Sequence, residues 1–344
     1  MYTSDSTIIC KEMYDYDSLL VKIEDGRNAE NAVTEAKELE KADVSPCVAY
    51  SNDEKNVLLL DMCRFSVDDG EFMDTEEILR ADNIARRIAG LKEREGSVAQ
   101  PWVIPAEIPE HTITLKFTVE SLVDVKSPVL ALEDAEEAVI TLNGVNVDNT
   151  VTGWYVDKSI KTVSLPDMVK GENIITVRLP LGNHSNTEWC YLLGEFGVEV
   201  SGRNAKIVEK PAKLWFGDIV NQGFPFYGGN ITYHIGEFDV NNGELEVVVP
   251  QYRGALTKVF VDGEDKGNIV YSPNTLRISG LENGKHKVDI RLYTHRFNSF
   301  GAVHNADDRR AWHGPDAWRT RHEGWTYEYR LKKVGILTTP IVKA

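Results

Sequence analysis

The chain has 344 residues, and at roughly 100–200 residues per domain this is room for two domains with a smaller piece beside them. A hydrophobic share of 42% with 27% charged residues suffices for buried cores and excludes wholesale disorder. With 38 Lys and Arg against 54 Asp and Glu, the net charge of −16 repels nucleic acid and anionic membranes, and no apolar run reaches the roughly 18 residues of a membrane span.

The first ten residues have no basic region and no long apolar stretch, which reads as a cytoplasmic chain without a secretory signal. Cys10, Cys47, Cys63 and Cys190 are scattered without a CxxC pair, so free thiols in a reducing compartment are expected. Residues 18–24 form a short strand candidate, and the Ala/Glu/Lys-rich run 29–42 reads as an exposed helix. Residues 56–63 (NVLLLDMC) have the length of a buried strand, and a turn is expected at Asp69 and Gly70. A helix capped by Asp74 is expected to run to about Arg94, with Ile78, Ala81, Ile84, Ile88 and Leu91 as its apolar stripe.

Pro101, Pro105 and Pro109 mark a boundary, after which alternation takes over. Residues 112–120, 138–142, 173–179 and 196–200, then 243–249, 256–261 and 287–293, read as strands with one wet face. The two blocks repeat each other. In the first, 139–144 (VITLNG) precedes 171–179 (GENIITVRL); in the second, 258–263 (KVFVDG) precedes 284–292 (GKHKVDIRL). Each is a strand, a tight Asn/Asp-Gly turn and a long alternating strand. The expected fold is mainly β. A small α/β region (1–100) precedes two tandem jelly-roll β-sandwiches, 101–208 and 209–344.

This repeated unit resembles the galactose-binding-like jelly roll that accompanies large glycoside hydrolases, including family 2-type β-glycosidases. Residues 56–61 (NVLLLD), 153–158 (GWYVDK), 186–194 (NTEWCYLLG), 224–230 (FPFYGGN) and 312–318 (WHGPDAW) further resemble the C-terminal region of bacterial enzymes related to α-L-rhamnosidases. In such enzymes a (β/α)-barrel carries the catalytic carboxylates, and nothing before residue 100 supplies eight βα units. The resemblance therefore implies a non-catalytic carbohydrate-binding or scaffold region, with residues 1–100 as the stump of a link to a barrel domain or subunit. It also implies a structural Ca²⁺, which no EF-type loop locates here. The alternatives are a stand-alone glycosidase or lyase with its site between the sandwiches, and a structural module that assembles subunits.

Sugar recognition combines a stacking aromatic ring with polar groups for the hydroxyls. Trp154, Tyr155 and Asp157 offer that mixture, as do Asn186, Glu188 and Trp189 in a polar loop, and Tyr227 and Trp312 add further rings. The aromatic run 224–233 either lines a cleft or plugs a seam between sandwiches. For an enzyme, Glu188, Asp218 and Asp316 with His304 and His313 are the candidates, and glycosidic hydrolysis needs two carboxylates at a defined separation. The equally spaced His295, His304, His313 and His322 fit no metal-ligand pattern, so no metal site is assigned. Arg291 to Lys333 carries nine Arg/Lys against five Asp/Glu, a stretch suited to bridging the acidic remainder and not to binding nucleic acid.

Overall fold

The computed structural model describes Met13, residues 18–22, 39–94, Pro105, and residues 107–185, 187–307 and 324–344. The chain runs through β1 (Lys41–Ala42), β2 (Cys47–Asn52), β3 (Asn56–Leu60), β4 (Met62–Val67) and β5 (Glu76–Glu77) into helix α1 (Ile78–Ile88). Next come β6 (His111–Ser121), β7 (Val129–Leu132), β8 (Val139–Leu142), β9 (Val145–Val147), β10 (Val151–Tyr155), β11 (Asp157–Ser164), β12 (Gly171–Leu181), β13 (Cys190–Gly194), β14 (Gly197–Ser201) and β15 (Asn204–Val208). The last part holds β16 (Leu214–Trp215), a 3-10 turn (Ile219–Gln222), β17 (Ile231–Val240), β18 (Glu244–Val248), β19 (Tyr252–Arg253), β20 (Leu256–Val261), β21 (Glu264–Ile269), β22 (Thr275–Ser279), β23 (Gly284–Tyr293), the short helix α2 (Phe297–Phe300), β24 (Gly335–Ile336) and β25 (Ile341–Lys343).

The fold is mainly β, built from antiparallel sheets. In one sandwich the sheet β10-β11-β7-β13-β3 faces the sheet β4-β6-β12-β8-β9, which the β14–β15 hairpin joins through a parallel bridge to β6. Ile113, Leu115, Phe117, Ile175 and Val177 from one sheet meet Leu130, Val163, Leu192 and Leu58 from the other in a single core. The second sandwich repeats the plan, with β22-β18-β25-β1 against β21-β20-β23-β17-β2 and the edge strand β16. Val240, Leu245, Val247, Val259, Ile290 and Val342 fill its core.

Residues 39–88 do not form a separate α/β region. β1 and β2 belong to the second sandwich, where Lys41 pairs with Lys343 and Tyr50 with Tyr233. β3 and β4 belong to the first, where Leu59 pairs with Tyr191 and Phe65 with Leu115. One sandwich is therefore inserted between the second and third strands of the other. Every residue of β3 is buried, so it lacks the alternation that marks a half-wet strand.

The repeat read in the sequence has an atomic basis. Asn143 and Asp262 sit at positive φ (51° and 53°) before Gly144 and Gly263 (79° and 83°) in equivalent hairpin turns. Asn143 Oδ1 accepts from the Ile174 N–H and Asp262 Oδ1 from the Lys287 N–H, both at 2.8 Å, so each turn is tied to its long strand. The turn after β4, which leads to β5, uses the same device. Asp68 (φ 50°) accepts from the Thr112 N–H at 2.9 Å, and the left-handed residues there are Asp68 and Asp69, not Gly70.

Helix α1 begins later than expected and is capped by Glu77, whose side chain accepts from the Arg80 N–H. Ile88 is exposed, whereas Asp82 and Arg86 are buried as an ion pair at 2.9 Å. Residues 18–22 adopt no strand, residues 39 and 40 are not helical, residues 41 and 42 are strand, and residues 23–24 and 29–38 of the two N-terminal element expectations lie outside the described residues. No helix among the described residues is long and apolar enough to cross a membrane.

Candidate functional site

Residues 53–55 carry the chain from one sandwich to the other, and the seam closes around them. Asp53 accepts from the Asn230 N–H at 2.8 Å and from Asn230 Nδ2 at 2.6 Å, while the Tyr227 hydroxyl donates to it at 3.2 Å. The glycine pair before Asn230 is explained by this crowding. A Cβ on Gly229 would lie 2.5 Å from the Tyr227 hydroxyl, and one on Gly228 would lie 2.9 Å from Arg296 Cγ. Phe224 and Tyr227 belong to the core of the second sandwich and Phe226 to that of the first. The aromatic run 224–233 thus plugs the seam, and Tyr227 presents no ring face to solvent.

Beside the plug lies a cleft of about 540 Å³ lined by Glu54, Lys55, Trp154, Tyr155, Val156, Leu193 and Arg296. The Arg296 guanidinium grips Glu54 with two parallel bonds, Nη1 to Oε2 at 3.0 Å and Nη2 to Oε1. Both partners remain about one-third exposed, so their outer edges face water. The β10–β11 turn sets the rings. Val156 has φ of 60°, a strained state for a β-branched residue, and it pairs Tyr155 directly with Asp157. Tyr155 is thereby turned inward against Tyr191 and Phe300, and Trp154 outward, where it is 56% exposed. Burial pushes the pKa of the Tyr155 hydroxyl up to about 12.

The other expected residues that the structure describes lie apart from this cleft. Asp157 caps its own turn, accepting from the Ser159 N–H and Oγ. Trp189 is buried and donates from Nε1 to Glu77 at 2.6 Å, so its ring is no stacking platform. Glu188 accepts from Arg94 at 3.2 Å, and Arg86 donates to the carbonyls of Gly182 and Ser185. The polar loop 182–188 is thereby tied to α1 and to the residues just after it. Asp218 caps the 3-10 turn at Val220 and accepts from the Val334 N–H. Asn186, Trp312, His313 and Asp316 lie outside the described residues. No cluster of metal-ligating side chains occurs among the described residues.

His304 occupies a buried polar cluster that the sequence pattern does not reveal. Its Nδ1–H donates to the Thr326 carbonyl at 3.0 Å, and its Nε2 lies 2.8 Å from Asp61. Both ring nitrogens thus face acceptors, which requires a proton shared between His304 and Asp61. Asp61 also accepts from the Tyr329 hydroxyl at 2.6 Å, and the imidazole lies between the rings of Trp325 and Tyr329. Burial pulls the His304 pKa down, but the bond to Asp61 and the charges of Asp61 and Glu77 outweigh it and leave a net rise. Burial pushes Glu77 up to about 7, against its bond from Trp189. Glu76 accepts from Arg80 at 3.0 Å and from the Tyr327 hydroxyl at 3.1 Å, and Arg80 lies over the Trp325 ring. The cluster pins residues 325–329 onto the first sandwich. Asp61, Glu77 and His304 are all buried.

No protein family and no curated protein matches the sequence. Among solved structures, a rhamnosidase from Novosphingobium sp. PP1Y aligns at 13% identity and TM-score 0.27 over 69% of this chain, which spans only 23% of that enzyme. A β-D-mannosidase from Dictyoglomus thermophilum aligns at 14% and 0.25, over 70% of this chain and 31% of its own. An anti-sigma factor domain-containing protein from Clostridium clariflavum aligns at 11% and 0.20, over 68% of this chain and 90% of its own. Scores this low carry no weight for fold or function.

Proposed function

We propose that the chain is a non-catalytic carbohydrate-binding module whose site is the Trp154 cleft. The observation that carries this reading is the exposed Trp154 ring beside a fixed Glu54–Arg296 pair. The ring offers a flat apolar face to the C–H side of a pyranose. The outer edges of the ion pair and the Lys55 amine offer acceptors and donors to its hydroxyls. The sequence resemblance suggests that such a module works beside a catalytic barrel, and that pairing is part of the proposal.

A hydrolase needs two carboxylates facing one cleft, and among the described residues Glu54 is the single acid lining this one. A carboxylate with a raised pKa does exist in Glu77, but it is sealed and bonded at both oxygens, so it favours no enzyme reading. A subunit-assembly surface along 224–233 would need exposed rings, and Phe224, Phe226, Tyr227 and Tyr233 are all buried. The test is an array of plant and bacterial glycans probed with the wild-type chain and with Trp154→Ala. Selective retention on rhamnose- or galactose-containing glycans that Trp154→Ala loses supports the proposal. Retention that the substitution leaves unchanged moves the site elsewhere.

A further inference from the structure

A second exposed tryptophan stands at a second groove, and we infer that this groove binds an uncharged polysaccharide chain. The groove shares no residue with the Trp154 cleft, so either site can fail without the other. On the edge strand β16, Leu214 points into the core and Trp215 points out, 59% exposed. A lone surface tryptophan would be unremarkable. This one is mounted on a fixed backbone. Its main-chain N–H donates to Gln222 Oε1 at 2.8 Å, and Gln222 Nε2 donates back to its carbonyl at 3.1 Å. The N–H groups of Phe216 and Gly217 donate to the carbonyls of Pro46 (3.0 Å) and Ile336 (2.8 Å). The clamp fixes the main chain from which the ring projects into the groove.

The groove beside Trp215 has a volume of about 930 Å³, against about 540 Å³ for the cleft, so it suits a longer stretch of sugar units. Val198, Val220 and Leu331 contribute apolar lining. Lys213 and Lys333 stand at the groove with Glu209 and with Asp218, which is bonded to the Val220 and Val334 N–H groups, while its other acids, Glu199 and Glu328, are paired with Lys206 and Arg330. Charges of both signs thus mix around an aromatic platform with no excess that would select an anionic polymer. A flexible apolar ligand would leave these groups without hydrogen bonds. A neutral polyhydroxylated chain satisfies both the ring and the rim.

The test is fluorine NMR of the full chain carrying fluorinated tryptophan. The Trp154 and Trp215 signals are assigned by Trp154→Phe and Trp215→Phe. Galactotetraose, cellotetraose and an oligogalacturonate are each titrated to millimolar concentration. The expected result is that a neutral tetrasaccharide shifts the Trp215 signal, and still does so in Trp154→Phe. Trp215→Ala should then weaken that tetrasaccharide about tenfold with an unchanged urea midpoint. If neither neutral tetrasaccharide moves Trp215, or the oligogalacturonate alone does, the inference is overturned. A shift at Trp154 without one at Trp215 overturns it while leaving the cleft reading intact.

Discussion

Asp61 is the residue on which most of the buried chemistry converges. It takes bonds from His304 and Tyr329, and its main-chain carbonyl accepts from the Ile78 N–H at the start of α1. Removing its charge leaves a buried imidazole facing a weaker partner. Asp61→Asn is therefore expected to cost about 3–5 kcal/mol in urea unfolding, and a cost below about 1 kcal/mol would show that the cluster tolerates the loss. Val156 is the opposite case, a residue whose backbone is strained for its side chain. Asn accepts left-handed φ more readily, so Val156→Asn is expected to raise stability by about 1 kcal/mol in the same assay. That Trp154 and Tyr155 share one place was legible because they adjoin in sequence, and both line the cleft. Their partners Glu54 and Arg296 were not, because a bond between residues 242 apart leaves no local pattern. Trp189 was misread for the same reason, since the group that claims its indole lies 112 residues away on the edge of α1.

At the scale of elements, the segment from Trp325 to Tyr329 is held by groups that respond to pH together. Glu77 has its pKa raised from 4.5 to about 7, so the stability it contributes when neutral is full below about pH 4.5 and is lost as pH rises through about 7. His304 is raised above 6.5, so its contribution is full below 6.5 and is lost as pH rises through its folded value. The signs agree. The N–H groups of Thr326 and Arg330, which donate to the carbonyls of His304 and Val303, should lose hydrogen-exchange protection as pH rises from about 4.5 through about 7. Protection that is flat or rising over that range, after correction for intrinsic exchange, would contradict this. The hairpin repeat was legible at this scale because Asn-Gly and Asp-Gly turns encode their geometry in adjacent residues. The helix starts after Glu77 and not at Asp74 because Glu76 and Glu77 pair as a strand with β4, and the buried Asp82–Arg86 pair takes positions that periodicity assigns to solvent.

At the scale of the molecule, the alternating strands made a mainly β fold readable, but the insertion of one sandwich inside the other was not. β1 pairs with β25, the last strand of the chain, and no pattern within residues 39–52 names that partner. The nesting has a mechanical consequence. Phe226, Val303 and Tyr329, which lie outside the inserted segment, pack into or against the core of the inserted sandwich. Full-length protein is therefore expected to unfold in one urea transition seen alike by near-ultraviolet circular dichroism and by hydrogen exchange in both sandwiches; two separated transitions would show them to be independent. The seam that couples them also forms the Trp154 cleft, in which we propose that a sugar binds. The most direct measurement is a calorimetric titration of the full chain and of Trp154→Ala with the glycan that the array retains. The predicted result is one binding event at the cleft that Trp154→Ala weakens at least about tenfold without changing the urea midpoint. Equal affinity in the two proteins would contradict it.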